Sequence, residues 1–445
     1  MPAPRYKTIV ERFAQAIRRG ELVPGTQLPT HRNIAKREGI ALATATKVYA
    51  ELEAMGLVIG ETGRGTFVRH SALPLGNGID QSAVLAKMID LNFNSGALPT
   101  QEQLLRTALA ELSENEDLSA LLHYQPHAGG ERERAVIASH LTRRGLSAHP
   151  AQLLITSGAQ HALAVVAMAL FNPGDIVAVD ALTYPGFKAV AELYRLELAP
   201  IPITKDGPDF NVLQDVLQRR QVKAIYCMPT LHNPLGWVLD LQQRQQLIAL
   251  ASESGALLLE DAAYAFLAAD PPPPLAELAP QNTVYISGLS KNIATGMRLG
   301  FICAPPAVVG KLERAIRATT WNTPALITAL CCRWIEDGTV DSLERQKRDD
   351  AIARQAMARS ILCKQRWVSS SSAPFMWLEL PTDIRADTLA CELAAKGVSV
   401  STASPFSCAA QTPQALRLAL SSPSLEELEF ALHKVADEMQ NYRYL

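Results

Sequence analysis

Five short apolar runs constrain this 445-residue chain more than any other feature: Leu153–Thr156, Ile176–Asp180, Ala224–Pro229, Ala256–Asp261 and Thr283–Ser287. The first three precede helical stretches beginning at Ala159, after Gly186 and at Leu241. Strands that are apolar along their whole length are buried on both faces, which requires a mostly parallel sheet covered by helices on either side. In such a sheet ligands gather beyond the carboxyl ends of the strands. The chemistry-bearing residues fall at those ends.

The chain is too long for one ordinary core, and two or three domains are expected. With 48% hydrophobic and 19% charged residues and no run of about 18 apolar residues, the composition is that of a globular protein without a membrane span. The start, MPAPRYKTIVERF, lacks the apolar core of a signal peptide. Seven cysteines without framework spacing fit free thiols in a reducing compartment, so a cytoplasmic protein is expected; no Cys and His pairing has zinc-ligand spacing. Charge is uneven. Residues 1–70 carry 11 Lys+Arg against 6 Asp+Glu, and the remainder 42 − 11 = 31 against 44 − 6 = 38. A basic head on an acidic body points to an anionic polymer as partner, although a solvated basic face gives the same count.

Within the head, Ile9, Val10, Phe13, Ala16 and Ile17 form a helical stripe over Tyr6–Arg19. Thr30 is placed to cap a second helix through about Arg37, and Thr44–Met55 makes a third, ended by Gly56. Two β-type runs, Leu57–Ile59 and Thr66–Val68, flank the turn ETGRG. Three helices and a hairpin describe a winged helix, its third helix suited to a major groove and its wing to the neighbouring backbone. The segment GELVPGTQLPTHRNIA (Gly20–Ala35) resembles the DNA-binding domain of the GntR superfamily. The resemblance implies double-stranded DNA as partner, a phosphate or base contact from Arg32, Thr44 and Thr46 facing the duplex, and a wing contact from Arg64 and Gly65. Leu42 stands where that family commonly has Arg; Lys47, one turn on, offers a phosphate contact or lies on a solvated face.

The body presents its candidates in order. SGAQHAL (Ser157–Leu163) turns from strand to helix, where free amides and the Ser157 hydroxyl can cradle a phosphate, or where small residues merely allow packing. Tyr184 in LTYPGF can stack on a planar ring or sit in a core. Asn233 in TLHNPLG presents an amide at a strand end, or is a plain Asn-Pro turn. Asp261 ends a strongly apolar strand, so its carboxylate needs a cation: a protonated ring nitrogen, or a structural salt bridge. Tyr264 follows within hydrogen-bonding reach of the same ring. Lys291 comes after an apolar strand in YISGLSKNIATGMRLGF, with Arg298 seven positions on: an amine that can condense with an aldehyde and a fork that can clamp an anion.

Together these motifs resemble the fold-type I pyridoxal-phosphate enzymes of the aspartate aminotransferase superfamily, from about Ile89 to the C-terminus. The resemblance implies pyridoxal 5'-phosphate as cofactor and Lys291 as its covalent, catalytic anchor. It further implies Asp261 on the pyridine nitrogen, Asn233 and Tyr264 on the phenolate oxygen, and Tyr184 stacked on the ring. Ser157, Gly158, Ala159, Ser290 and Arg298 are implied around the phosphate. Tyr124, in HYQPHAGG, is implied at the phosphate of a neighbouring subunit, hence a homodimer with shared sites. Arg417, in ALRLAL, is implied to bind a substrate carboxylate, and Gly96, in NSGALP, to lie at the pocket mouth. Gly288 stands where many relatives have Ser or Thr, and Thr295 where proline is common.

The expected architecture is a multidomain chain: an N-terminal winged helix (α+β) at 1–70, a linker at 71–90, and an α/β fold-type I body at 91–445. The body divides into a large part to about 335 and a smaller C-terminal α+β subdomain. A winged helix fused to such a body is the plan of the MocR-type regulators within the GntR superfamily. The implied function is transcriptional control at a DNA operator, with the body sensing the vitamer or a small amino-compound effector. The competing reading is a working aminotransferase with an accessory DNA-binding head. A third, a DNA-binding protein on a dead scaffold, fits poorly with the retained constellation.

Overall fold

In the computed structural model of the chain, the described residues are 5–19, 21–23, 25–61, 64–69, 88–95, 98, 100–115, 118–381, 384–409 and 411–442. Residues 70–87, most of the stretch read as a linker, and Gly96 lie outside them.

The head consists of helices α1 (Arg5–Arg18), α2 (His31–Glu38) and α3 (Leu42–Ala54), followed by strands β1 (Val58–Glu61) and β2 (Gly65–Val68). Thr30 caps α2 by accepting the Asn33 amide at 3.2 Å, and Gly39 ends it at φ 61°. The apolar stripe of α1 packs with Ile34, Val48, Tyr49 and Leu52 into one small core. β1 and β2 pair antiparallel, Val58 opposite Val68. This is the winged helix.

The body holds two sheets. The larger has seven strands: β4 (Leu153–Thr156), β5 (Ile176–Asp180), β6 (Glu197–Ile201), β7 (Val222–Cys227), β8 (Leu257–Asp261), β9 (Thr283–Gly288) and β10 (Gly300–Cys303), in the order β4-β10-β9-β8-β7-β5-β6. All neighbours are parallel except those of β10, which runs antiparallel between β4 and β9. That reversal returns the chain from Lys291 straight back beside the turn at Gly158. The smaller sheet orders β11 (Arg366–Val368), β12 (Phe375–Glu379), β14 (Ala415–Ala419), β13 (Val398–Thr402) and β3 (Ile89–Leu91). Residues 89–90, assigned above to the end of the linker, instead form strand β3, which pairs parallel with β13. Three residues are too few to show a period, so only the tertiary pairing reveals this strand.

Behind the larger sheet, Glu260 points away from Asp261 and is 1% exposed. It accepts the Ala276 amide at 2.9 Å and lies 4.0 Å from the buried guanidinium of Arg244. Burial nevertheless pushes its carboxyl from 4.5 up to about 7. The folded protein therefore retains this proton where the unfolded chain has lost it. The group's full stability contribution is present below about pH 4.5 and is lost as pH rises to about 7, on the order of 3 kcal/mol. Glu260→Gln keeps the acceptor and removes the titration. Its melting temperature is expected to fall less than that of the parent over that window, as thermal denaturation at several pH values measures.

Candidate functional site

Nine of the expected body residues line one cavity of about 520 Å³ between the two sheets: Ala159, Tyr184, Asn233, Asp261, Tyr264, Ser290, Lys291, Arg298 and Arg417. Lys291 stands in the turn after β9, and its Nζ donates to the Asn94 carbonyl at 2.7 Å. Lys347, from the helix Thr339–Ile361, secures that turn by donating to the carbonyls of Lys291 and Ile293 at 3.0 and 2.8 Å.

At one end of the cavity, β4 passes through Ser157 and Gly158 into the helix Ala159–Leu170. Gly158 is the N-cap at φ 92° and supplies no side-chain cap, so the first amides of the helix are left for an anion. A Cβ on Gly158 would lie 2.7 Å from Arg298 Nη2, and one on Gly300 would lie 2.4 Å from the Gly158 carbonyl carbon. Two missing side chains thus let a guanidinium close over a helix N-terminus, with Ser290 beside them. The hydroxyl of Ser290 is buried and has no hydrogen-bond partner among the described residues. Ser157 adjoins this cradle, its amide donating to His161 Nδ1 at 3.1 Å.

Across the cavity, Asp261 is 2% exposed, and burial raises its carboxyl above the usual range. Its oxygens accept from the Tyr226 hydroxyl at 2.8 Å and the Ala263 amide at 3.0 Å. Among the described residues no Lys, Arg or His forms an ion pair with it, so the structural salt bridge considered as its alternative role is not formed. Tyr184 caps the helix Pro185–Leu193, and its ring folds over Gly186, where a Cβ would come within 2.3 Å of it. Asn233 is 4% exposed, and its Oδ1 has no partner among the described residues. Its neighbour His232 reaches Asp180 through Nε2 at 3.2 Å. Tyr264 meets Phe375 edge-on at 5.4 Å.

Arg417 comes from the second sheet. It is 5% exposed, donates through Nη2 to the Asn92 carbonyl, and leaves Nε without a partner among the described residues. β14 is an interior strand, flanked by β12 and β13, which keeps Arg417 off the sheet edge. A planar cation, a buried carboxylate without a cation, an amine and an anion cradle surround one space. That donor set fits a ring bearing a phosphate, a basic nitrogen and an aldehyde, with an amino acid's carboxylate at Arg417.

Tyr124 is 84% exposed and outside this cavity, its ring 5.6 Å from that of Trp321. In the head, Arg32, Thr46, Lys47 and Arg64 are exposed, and Thr44 and Gly65 half-buried. Lys47 stands 4.5 Å over the Tyr6 ring, an intramolecular cation–π contact that neither alternative above included. Thr46 donates to the Leu42 carbonyl at 3.1 Å. The sequence reading missed Asn92, Asn94, Phe406 and Tyr226. The run NFNS immediately after β3 was the available signal for the two asparagines.

The model of the aminotransferase class I and II family matches residues 86–435, and that of the gntR family of bacterial regulatory proteins matches residues 5–68. The chain is 28% identical over 432 residues to the uncharacterized HTH-type transcriptional regulator YdeF of Bacillus subtilis, covering 96% of this chain and 93% of the relative. It is 28% identical to the 2-aminoadipate transaminase of Thermus thermophilus, over 70% of this chain and 81% of that one. The crystal structure of LysN, an alpha-aminoadipate aminotransferase from Thermus thermophilus, superposes with a TM-score of 0.74 at 24% identity, over 82% and 95% of the two chains. The chain belongs to the aminotransferase class I and II family and carries, ahead of that body, a gntR-type helix-turn-helix head.

Proposed function

We propose that the protein is a MocR-type transcriptional regulator: its head binds double-stranded DNA, and its body binds pyridoxal 5'-phosphate and senses that vitamer or a small amino compound. The observation that carries the body's part is the convergence of Lys291, Asp261, Arg417 and the Gly158–Arg298 cradle on one cavity, below an intact winged helix. When bound, the cofactor supplies an aldehyde for amines and an electron-withdrawing ring. The chain's own residues do the rest. Lys291 offers the anchoring amine, Asp261 the countercharge for the ring nitrogen, and Asn233 and Tyr264 hydrogen bonds to the ring oxygen. Tyr184 stacks on the ring. Ser157, Gly158, Ala159, Ser290 and Arg298 hold the phosphate, and Arg417 receives the carboxylate of the amino compound.

The same cavity favours the second reading, an active aminotransferase, because Lys291, Asp261, Arg298 and Arg417 all line it. The head favours regulation, since transamination has no use for a winged helix.

A physical route joins the two halves. Arg385, at the N-terminal end of the helix Ala386–Ala395, stacks its guanidinium 4.1 Å from the centre of the Phe67 ring in the wing strand β2. That helix packs on β13, whose Ser401 pairs with Arg417. A ligand gripped by Arg417 can thus bias how the wing sits, provided that it binds the two arrangements with different affinities.

A homodimer completes the proposal. Tyr124, Leu122 and Trp321 are exposed near one another, and a second copy would cover them and bring Tyr124 to the partner's phosphate. The DNA half of the proposal is tested by measuring duplex binding of the full chain at several salt concentrations. Affinity is expected to fall steeply with salt, and Arg32→Ala to weaken binding and flatten that slope by about one. Binding that is absent or indifferent to salt would contradict it.

A further inference from the structure

Tyr226 is the next-to-last residue of β7 and lies on the same face of the larger sheet as Asp261 in the adjacent strand β8. Its hydroxyl donates to Asp261 Oδ2 at 2.8 Å. The residue is 1% exposed, and its ring lies flat on Phe187, with centroids 3.9 Å apart and planes 6° from parallel. Phe187 occupies the first turn of the helix that Tyr184 caps. One stacked aromatic pair therefore ties the position of the ring-stacking tyrosine to that of the buried carboxylate.

Asp261 needs such a tie. Among the described residues it accepts two hydrogen bonds, from the Ala263 amide and the Tyr226 hydroxyl, and an isolated buried carboxylate tends to take up a proton. A charge-assisted hydrogen bond in a dry site opposes that tendency more strongly than a neutral one. A carboxylate has about four lone-pair sites, so two remain for a ligand on the cavity side. We infer that Tyr226 is a positioning residue that keeps Asp261 ionised and aimed at the positively charged ring nitrogen of the cofactor. The inference rests on the pyridoxal-phosphate reading of the cavity.

Tyr226→Phe removes one oxygen and leaves the stack on Phe187. The test is the affinity of the full chain for pyridoxal phosphate, by absorbance titration across pH, in the parent, Tyr226→Phe, Asp261→Asn and the double variant. Tyr226→Phe is expected to weaken binding about tenfold. Without the hydroxyl, Asp261 takes up its proton at higher pH, so the pH below which affinity is lost moves up. In the Asp261→Asn background the same change should have no further effect, because its action passes through the carboxylate. Phe187→Leu loosens the stack but leaves the hydroxyl; it should lower the melting temperature and leave the pH midpoint in place.

An unchanged affinity and pH profile in Tyr226→Phe would overturn the inference. So would an equal loss in the Asp261→Asn background, or a Phe187→Leu midpoint that moves as far; either assigns Tyr226 to packing alone. If no variant or parent binds pyridoxal phosphate, the reading of the cavity fails first, and the inference falls with it.

Discussion

Lys291→Ala is expected to abolish the visible absorbance that the parent chain acquires with pyridoxal phosphate, leaving only the spectrum of free cofactor. The amine is held in the cavity by its bond to the Asn94 carbonyl, and the turn behind it is pinned by Lys347. The other described amine lining a neighbouring wall, Lys347, is committed to two carbonyls, and burial lowers it to about 8. It is therefore poorly placed to replace Lys291. Because Lys291 is only half-buried, the unliganded variant should be within about 1 kcal/mol of the parent in stability. Any turnover of amino acids should vanish with the absorbance, while duplex binding by the head should persist. Retained absorbance would show that another group carries the cofactor.

The second large effect is expected at Arg417. Replacement by Lys retains the charge but not the planar fork, so the Nη2 bond to the Asn92 carbonyl is lost and a single ammonium cannot bond that carbonyl and clamp a ligand carboxylate bidentately. Burial already works against the charge of Arg417, so a shorter, more strongly hydrated ammonium is a poor substitute in that position. Affinity for amino compounds bearing a carboxylate is expected to fall by about 2–4 kcal/mol, roughly thirtyfold to nine-hundredfold. Binding of pyridoxal phosphate itself should change little, since Arg417 faces the cavity from the smaller sheet. Calorimetric titration of the cofactor-loaded protein with an amino-acid panel separates the two quantities. Equal losses for both would place Arg417 in cofactor binding instead.

The parts of this protein that were legible in its sequence are those with local causes. β4, β5, β7, β8 and β9 are apolar along their length because both faces are covered, and that pattern needs no tertiary information. Asp261 stood out because a carboxylate at the end of such a strand is costly, and Gly158 belonged to a small-residue strand-to-helix turn whose free amides can cradle a phosphate; that Arg298 closes over it is visible only in the structure. Other features have non-local causes. β10 reads as a plain apolar run, and its antiparallel direction depends on the tight return after Lys291. β3 is three residues long, and it is a strand only because β13 lies beside it. Tyr226 looks like an ordinary strand aromatic until its hydroxyl is seen against Asp261, which is 35 residues away in the chain. The same holds for Lys47, whose contact with Tyr6 spans two helices of the head.

The central claim is that occupancy of the body's cavity changes what the head does. Its most direct test is the affinity of the full, cofactor-loaded chain for duplex DNA selected by the protein from a random pool, measured with and without each member of an amino-compound panel at fixed salt. The account predicts that pyridoxal phosphate, or one class of amino compound added to it, shifts that affinity by about fivefold or more, and that Lys291→Ala removes the shift while leaving basal binding. An affinity unmoved by cofactor and by every amine, with steady conversion of an amino acid to its keto acid, would contradict the regulatory account and leave an aminotransferase carrying an uncoupled head.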